Sequence, residues 1–275
     1  MVTVTRLSGQ LLKYGVLSAL LLVMVFPMLW MFRVSLMPPG SSIALSEMFG
    51  TRLTMSNFGD LFSTLNMGQY LFNSIAVAVV VTAANILFCF MVAYALARFR
   101  SLFNKLLFFS AITVLMIPAH VIIIPLYVIC LKTGIYDSYW ALILPWLVNP
   151  IGIFLLKQYI EAIPPAMEEA ARVDGAGDFT VLFSIMMPVC RPVLAVLAIQ
   201  VFVTNWNSFL FPFILTSRES LRTLPVALAL FQGHQAIDWQ HLMAGASVAV
   251  LPILILFVVL QRQIVSGITA GAIKQ

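Results

Sequence analysis

The chain has 275 residues, of which 62% are hydrophobic and only 9% are charged. A soluble domain carries about 25% charged residues, so this composition excludes a water-soluble fold and indicates a helical membrane protein. The net charge of +5 comes mainly from basic residues at the ends of apolar runs. No basic run or aromatic–basic pattern points to nucleic acid, and we expect no nucleic-acid partner.

Six apolar runs are long enough to cross about 30 Å of hydrocarbon as helices. They lie at about residues 12–32, 71–97, 106–130, 139–156, 193–215 and 243–260. An even number of spans places both termini on one side, and the polar segments of that side hold ten Lys and Arg against five on the other. This excess of basic residues predicts cytoplasmic termini.

The segment of residues 38–70 is rich in Gly, Ser, Thr and Asn, and we expect a loosely structured excursion there. It separates the first span from the other five. The sequence therefore predicts three parts: residues 1–69 with the first span and an outer loop, a transmembrane core at residues 70–262, and a cytoplasmic tail at residues 263–275.

A polar stripe marks the fifth span, where Gln200, Thr204, Asn207 and Ser208 share one helical face. Polar groups in hydrocarbon are unfavourable unless they meet partners or water, so this stripe is expected to face the bundle interior. Helix packing and a solute pathway both explain it. For more isolated polar residues, packing is the favoured explanation: Asn73, Ser74, Asn85, His120 and Asn149.

The predicted spans contain no acidic residue, which argues against a proton-relay carrier and against acid–base catalysis within the membrane. Three Cys and three His are scattered along the chain without the spacing of a ligand set. The sequence therefore predicts neither catalytic residues nor a metal site.

The loop between the fourth and fifth spans, residues 157–191, is the most charged stretch of the chain. Pro164 and Pro165 suit a helix start, and Glu168 and Glu169 follow where the helix dipole favours a carboxylate. Small alanine side chains leave a slender surface that suits insertion into a partner's cleft. A helix resting on the membrane surface is the alternative, but such helices carry Lys and Arg on the polar face, whereas this one is mainly acidic.

Two glycines, Gly175 and Gly177, permit a left-handed turn that ends this first helix. Asp178 is expected to cap a second helix, which Pro188 closes. The prediction is therefore a helix, a glycine turn and a second helix on the cytoplasmic side, built to engage a partner.

The spacing within this loop resembles the EAA motif of binding-protein-dependent ABC importer permeases. It runs Glu169-Ala170-Ala171, three residues, Gly175, nine residues, Ile185, one residue, then Met187-Pro188, with Met187 where the family has leucine. Further segments resemble the carbohydrate-import branch, and within it the six-span second permease subunit of maltose-type systems: Asn205-Trp206-Asn207, Thr223-Leu224-Pro225, Met243-Ala244-Gly245 and Gly271-Ala272-Ile273-Lys274.

The resemblance implies an all-α ABC type I permease of six spans in the plasma (inner) membrane, with its permease core at residues 70–262. Such a subunit contacts membrane lipid and pairs with a homologous second permease subunit, two ATPase subunits and an extracytoplasmic solute-binding protein. ATP and magnesium would bind the ATPases, because this chain lacks a Gly-rich phosphate loop that ends in Lys and Ser or Thr. The chain itself is then not an enzyme and binds no cofactor.

The resemblance also implies roles for particular residues. The residues expected to dock the ATPase are Glu168, Glu169, Ala170, Ala171, Asp174, Gly175, Ile185 and Pro188. The residues expected to line a translocation pathway are Gln200, Thr204, Asn205, Asn207 and Ser208. In the family the last outer loop, here residues 216–242, can reach into the binding protein, and its candidates are Arg218, Arg222, His234 and Trp239.

Other functions remain open at this point. An ABC permease for peptides, phosphate or amino acids fits the same loop, and an ion-coupled secondary carrier fits the same composition, although the lack of buried charge disfavours it. A membrane-embedded enzyme or assembly factor is disfavoured because no nucleophile–base or metal constellation occurs. No residue names the solute, since sugars, oligosaccharides and glycerophosphodiesters are all served by similar permeases.

Overall fold

The structure is a computed structural model that describes residues 2–44, 46, 50, 52–64, 66–231 and 238–272. These residues form α-helices linked by short 3-10 and π-helical turns, with no β-strand among them. In chain order the helices are α1 (Val2–Ser35), α2 (Ser56–Thr64), α3 (Met67–Arg98), α4 (Leu102–Val114), α5 (Ile123–Lys132), α6 (Tyr139–Ile143), α7 (Pro150–Glu161), α8 (Ala166–Val173), α9 (Asp178–Thr180), α10 (Met187–Val189), α11 (Arg191–Trp206), α12 (Leu210–Leu215), α13 (Leu224–Phe231) and α14 (Trp239–Ala272).

Four helical stretches are long and apolar enough to cross a membrane: Leu12–Ser35, Met67–Arg98, Tyr139–Glu161 and Trp239–Gln261. They coincide, apart from a few residues at their ends, with the first, second, fourth and sixth predicted spans. The third predicted span falls on a pair of helices bent by 97°, and the fifth overlaps the second helix of a pair bent by 78°, so the described residues hold up to six spans if each bent pair is one span. The all-α, multi-span fold class is therefore confirmed.

The predicted third span is sharply bent. Segments Leu102–Val114 and Ala119–Lys132 meet at 97°, and Pro118 stands at the break, immediately before a 3-10 turn over Ala119–Ile122. Proline cannot donate a backbone hydrogen bond and disfavours helical conformation in the residue before it. A straight helix therefore cannot continue through this position.

The predicted fifth span, residues 193–215, is not one continuous helix. Helix α11 ends at Trp206 and α12 begins at Leu210. In an uninterrupted helix the ring of Pro212 would clash with the carbonyl of Ser208 and leave it without a donor, so the chain breaks there. Helix α11 instead follows the helical segment Asp178–Val189 at an angle of 78°.

Contacts divide the chain into two compact units, one made from Met1–Gly68 with Leu228–Leu251 and the other from Gln69–Ala227 with Pro252–Gln275. In the first unit the buried amide of Asn57 on α2 donates to the carbonyls of Ser35 and Met37, at 2.8 Å each. The expected loose excursion at residues 38–70 is therefore partly wrong, because α2 has an inner face that ties it to the end of α1. The predicted division into residues 1–69, 70–262 and 263–275 stays a prediction.

The core of the second unit joins α3, α7 and α11 to the polar loop at residues 157–191. Its fully buried side chains include Phe90, Leu156, Met186 and Leu197. A β-carbon on Gly152 would lie only 2.9 Å from Cδ1 of Leu197, so α7 and α11 are in close contact and a larger residue at this position would require the Leu197 side chain to move. This packing gives the loop a rigid base.

Candidate functional site

The polar loop forms the predicted helix, glycine turn and second helical stretch, and that prediction is confirmed. Helix α8 follows Pro165 directly, and Gly175 has a φ of 87°, in the left-handed region that favours glycine. Gly177 has a φ of −74°, so its predicted part in the left-handed turn is wrong. The turn needs a single glycine because the chain returns to extended backbone before the next helical stretch.

The start and end of the second helical stretch differ from the prediction. Gly177 occupies the cap position, and the carboxylate of Asp178 instead pairs with Arg172 across the turn, at 2.7 Å. The stretch passes through a π-helical turn over Val181–Met186 and ends at Val189, one residue after Pro188. Its end therefore differs from the prediction by a single residue.

Glu168 is an internal anchor of the loop. Its side chain is buried, accepting a hydrogen bond from the hydroxyl of Tyr94 (2.7 Å) and one from Nε of Arg98 (2.6 Å). Nη2 of Arg98 also donates to the carbonyl of Ile163, at 3.0 Å. The end of α3 thus already pairs with the charge of Glu168, and the predicted docking role of this residue stays a prediction.

The exposed side of the loop carries the rest of the predicted docking set. Glu169, Ala170, Asp174 and Gly175 are exposed, and Ala171 is half-buried. Two other members, Ile185 and Pro188, are half-buried in the second helical stretch, where Ile185 packs against the core. Ile185 and Pro188 therefore lie on the core-facing side of the loop and are not part of its exposed surface.

Two apolar side chains on this exposed side were missed by the sequence reasoning. Val173 is 87% exposed and Phe179 is 76% exposed, next to the glycine turn. The presence of large apolar residues in the most charged loop of the chain is the sequence feature that could have indicated them. Such groups are typical of a surface that a partner covers.

A cavity of about 790 Å³ lies in the second unit. It is bounded by α3, by the bend between α4 and α5, by the break between α6 and α7, and by the end of α11. All five predicted pathway residues line it: Gln200, Thr204, Asn205, Asn207 and Ser208. Gln200 and Thr204 lie on the predicted face of α11. Asn207 and Ser208 line the cavity from the break that follows this helix.

Asn85 and Asn149 also line the cavity, and their amides bond within the protein, as the sequence predicted for packing residues. Nδ2 of Asn85 donates to the carbonyl of Trp146 (2.9 Å), and Nδ2 of Asn149 donates to Oδ1 of Asn85 (3.2 Å). Oδ1 of Asn149 accepts the amide of Gly152 (2.6 Å) and so caps α7. His120, for which packing was expected, also lines the cavity.

The first part of the loop at residues 216–242 is bound along the start of α3. Nδ2 of Asn73 donates to the carbonyls of Ser220 (2.8 Å) and Arg222 (2.9 Å). The hydroxyl of Ser74 accepts the amide of Leu224, at 2.7 Å. Buried Asn73 and Ser74 are thus structural, as predicted, and they hold residues 219–224 in a defined path.

An ion pair and backbone hydrogen bonds between Asp137 and Arg218, here called the Asp137–Arg218 clip, join the loop before α6 to the loop after α12. Oδ1 of Asp137 accepts the amides of Ser217 (2.8 Å) and Arg218 (3.0 Å), and Oδ2 lies 2.8 Å from Nε of Arg218. Partial burial opposes the charge of this carboxylate, but these amides and the guanidinium outweigh it and hold the pKa of Asp137 below its usual value.

The predicted binding-protein contacts are therefore spread over different settings. Arg218 is exposed but paired with Asp137, and Arg222 is half-buried in the second unit. Trp239 is exposed at the start of α14, in the first unit. His234 lies outside the described residues.

Comparison with known proteins identifies a family that carries these features. The family model described as "Binding-protein-dependent transport system inner membrane component" matches residues 86–270, a range that contains α8 and the polar end of α11. One chain of a crystal structure of a bacterial ABC transporter involved in the import of the acidic polysaccharide alginate has the same fold. It matches with a TM-score of 0.81 at 21% identity, over 94% of this chain and 96% of its own.

Three relatives cover almost the whole chain. The sulfoquinovosyl glycerol transport system permease protein of Agrobacterium fabrum is 34% identical over 97% of this chain and 95% of its own length. The trehalose transport system permease protein of Mycobacterium tuberculosis is 33% identical, with coverages of 91% and 92%. The arabinooligosaccharides transport system permease protein of Halalkalibacterium halodurans is 32% identical, with coverages of 91% and 91%.

Proposed function

Since this chain belongs to the family of binding-protein-dependent transport system inner membrane components, we propose that it is a permease subunit of an ATP-driven importer for a sugar or sugar derivative. The relatives that support the substrate class carry names of transport systems for sulfoquinovosyl glycerol, trehalose and arabinooligosaccharides. A non-sugar solute is the alternative. The chain supplies the membrane path, and its energy comes from partner subunits.

The partners in this proposal are a homologous second permease subunit, two ATPase subunits and an extracytoplasmic solute-binding protein. ATP and magnesium bind to the ATPase subunits, where hydrolysis takes place. Both termini of this chain and the loop at residues 157–191 lie in the cytoplasm, which the distribution of Lys and Arg supports. Arg218, Arg222, His234 and Trp239 then belong to the opposite side, where the binding protein docks.

The observation that carries the proposal is the way α8 is divided between two neighbouring glutamates. Glu168 faces inward and is held by Arg98, whereas Glu169 is exposed beside the small side chain of Ala170. The exposed acid, the small side chain and apolar Val173 together form a surface that fits a cleft with a basic rim and an apolar floor. We assign this surface to contact with an ATPase subunit.

Closure of the ATPase pair would move α8, and the rigid base of the loop would pass that motion to α3 and α11. Because the cavity is lined by both of these helices, a displacement of either changes its access. The loop thus links nucleotide state to the solute path, with each state of the cavity favoured by one state of the ATPases.

The charge reversal Glu169→Arg tests this assignment. We expect loss of ATPase subunits from the tagged permease during purification, together with loss of ATP-dependent uptake, while the chain still inserts in the membrane. Glu161→Arg is the matched control, since Glu161 is exposed at the end of α7 on the same loop and outside the docking surface. Full recovery of the ATPases with Glu169→Arg would refute the docking surface.

Uptake driven by an ion gradient alone would refute the permease function itself. In membrane vesicles that contain the whole transporter, we expect accumulation only when ATP is present on the cytoplasmic side. A secondary carrier would accumulate solute without ATP.

A further inference from the structure

The side-chain oxygen of Gln200 is buried without a hydrogen-bond partner. Gln200 lies on α11 and lines the cavity of about 790 Å³, and its Oε1 has no partner among the described residues. Burial of an amide oxygen without a partner is unfavourable, and native proteins nearly always supply one from the protein, from water or from a ligand. This oxygen therefore points to a molecule that the cavity receives.

Gln200 differs in this respect from two asparagines that also line the cavity. Asn85 and Asn149 bond to each other, and both also bond to the backbone around the start of α7. These bonds fix the side chains of Asn85 and Asn149, and they engage the hydrogen-bonding groups of both residues within the protein. Gln200 is not part of this network, and its acceptor has no partner among the described residues.

More hydrogen-bonding groups lie near Gln200 at the end of α11. Thr204 follows one helical turn later, and Asn207 and Ser208 follow where the helix ends, all of them lining the same cavity. Hydroxyl and amide side chains offer both donors and acceptors. A solute that carries several hydroxyl groups can exchange its hydrogen bonds with water for bonds to these groups.

The cavity offers no permanent charge to an ionic solute. Its lining residues include no Lys, Arg, Asp or Glu within the described part of the chain, and His120 is the one titratable residue among them. A carboxylate, sulfonate or phosphate that entered would give up hydration without a permanent countercharge from this chain, which is unfavourable. The rings of Trp146 and Phe211, packed edge to face at 4.8 Å, add apolar walls that suit the C–H faces of a sugar ring.

We propose that Gln200 is a specificity-determining residue in a subsite for a neutral, polyhydroxylated solute. Its Oε1 accepts a hydrogen bond from a solute hydroxyl, and Thr204, Asn207 and Ser208 bind neighbouring hydroxyls. The volume of about 790 Å³ lies within the range of roughly 300–1,000 Å³ that small-molecule sites occupy. This inference rests on the proposed function and adds to it that this subunit contacts the solute and selects against charge.

The test uses cells that produce the whole transporter and lack other uptake systems for the probes. The neutral probes are trehalose, lactose and arabinobiose, and the acidic probes are D-glucuronate and digalacturonate. We expect ATP-dependent uptake of at least one neutral probe and of neither acidic one. Gln200→Met, which keeps the volume but removes the amide, should lower uptake of that neutral probe by roughly three- to tenfold, as for one lost hydrogen bond.

Two further variants separate solute contact from a structural role. Gln200→Asn keeps an amide and should restore part of the uptake, and Gln261→Met makes the same chemical change at an exposed position and should leave uptake unchanged. The ratio of uptake rates between neutral probes should also change in Gln200→Met, whereas a merely structural defect lowers all rates equally. ATPase subunits should co-purify with every variant.

The possible outcomes distinguish this inference from the function on which it rests. Uptake of an acidic probe alone, or unchanged neutral uptake in Gln200→Met, overturns the subsite and leaves the permease function in place. Uptake that needs no ATP overturns the permease function. Failure to take up any of the neutral probes also overturns the subsite and leaves the permease function in place, because the transporter can still carry another solute.

Discussion

Helix α3 binds a polar loop near each of its ends, and the two attachments differ in chemistry. Near its start, Asn73 and Ser74 contact backbone atoms of the segment at residues 220–224. Near its end, Tyr94 and Arg98 contact a single side-chain carboxylate, that of Glu168. In the first attachment Asn73 and Ser74 bond to the backbone, with one further bond from the hydroxyl of Tyr70 to Oε1 of Glu219 (2.7 Å), whereas the second centres on a buried ion pair.

The two attachments of α3 therefore respond differently to sequence change. The contacts of Asn73 and Ser74 reach backbone atoms, so they fix the path of the loop whatever its side chains, and only the bond from Tyr70 depends on a loop side chain, that of Glu219. A buried ion pair fails when either partner is removed, because the remaining charge is left unpaired. The attachment of α8 therefore depends on two residues 70 positions apart, and it is the contact through which the proposed ATPase docking reaches α3.

The largest effect is expected from Arg98→Ala. This substitution leaves the Glu168 carboxylate buried without its cation, which typically costs about 3–5 kcal/mol. Helix α8 should detach from α3, and the backbone amides of residues 166–176 should exchange with solvent at least ~100-fold faster in hydrogen–deuterium exchange of the purified transporter.

The control for this prediction removes both charges together. Arg98→Leu combined with Glu168→Leu leaves no unpaired ion and should recover much of the protection of α8. If exchange in Arg98→Ala equals that of the unaltered protein, the ion pair does not hold the loop.

A smaller and differently placed effect is expected from Asn73→Ala. The carbonyls of Ser220 and Arg222 lose their donor, which should weaken the attachment of that segment by roughly 2 kcal/mol. Exchange should rise at residues 219–224 and stay unchanged in α8. The matched control is Gln69→Ala, since Gln69 is exposed and bonds only to Oδ1 of Asn73 among the contacts described. Equal exchange at both ends of α3 in Asn73→Ala would contradict two independent attachments.

The smallest effect concerns the pH dependence of the Asp137–Arg218 clip. Because the folded pKa of Asp137 is lowered, the stabilisation is complete above the unfolded pKa of about 3.9 and is lost as the pH falls through the lower folded pKa. Arg218 is largely exposed, so the pair contributes at most about 1 kcal/mol. We expect Asp137→Asn to lower thermal stability slightly at pH 7, and this difference from the unaltered protein to shrink as the pH falls below about 3.9. A larger difference at pH 3 than at pH 7 would reverse the assigned sign.

Apolar runs predicted the spans because a helix that crosses hydrocarbon must satisfy its own backbone, whatever surrounds it. The two exceptions lie where a proline acts on the backbone. Pro118 bends the third span, and Pro212 ends the helical run of the fifth span. Both prolines are visible in the sequence. The angle between the helices on either side of each proline, however, depends on what packs against each helix.

The site was predictable in its local pattern and not in its long-range partners. The glycine turn and the shared face of Gln200 and Thr204 follow from residues close together in the chain. The separation of Glu168 from Glu169 does not, because two adjacent glutamates in the first turn of a helix look alike. Arg98 decides which of them is buried, and no local pattern indicates that pairing.

In the proposed transporter the exposed surface of α8 and the turn after it contacts an ATPase subunit. Replacing Val173, which is 87% exposed, with the photo-crosslinking residue benzoylphenylalanine in the whole transporter tests this contact. Phe109 on α4 is the control, since it is also exposed but lies within an apolar helix. We expect a light-dependent adduct between position 173 and the ATPase, and none from position 109. No adduct from position 173, or equal adducts from both positions, would show that this surface does not dock the ATPase.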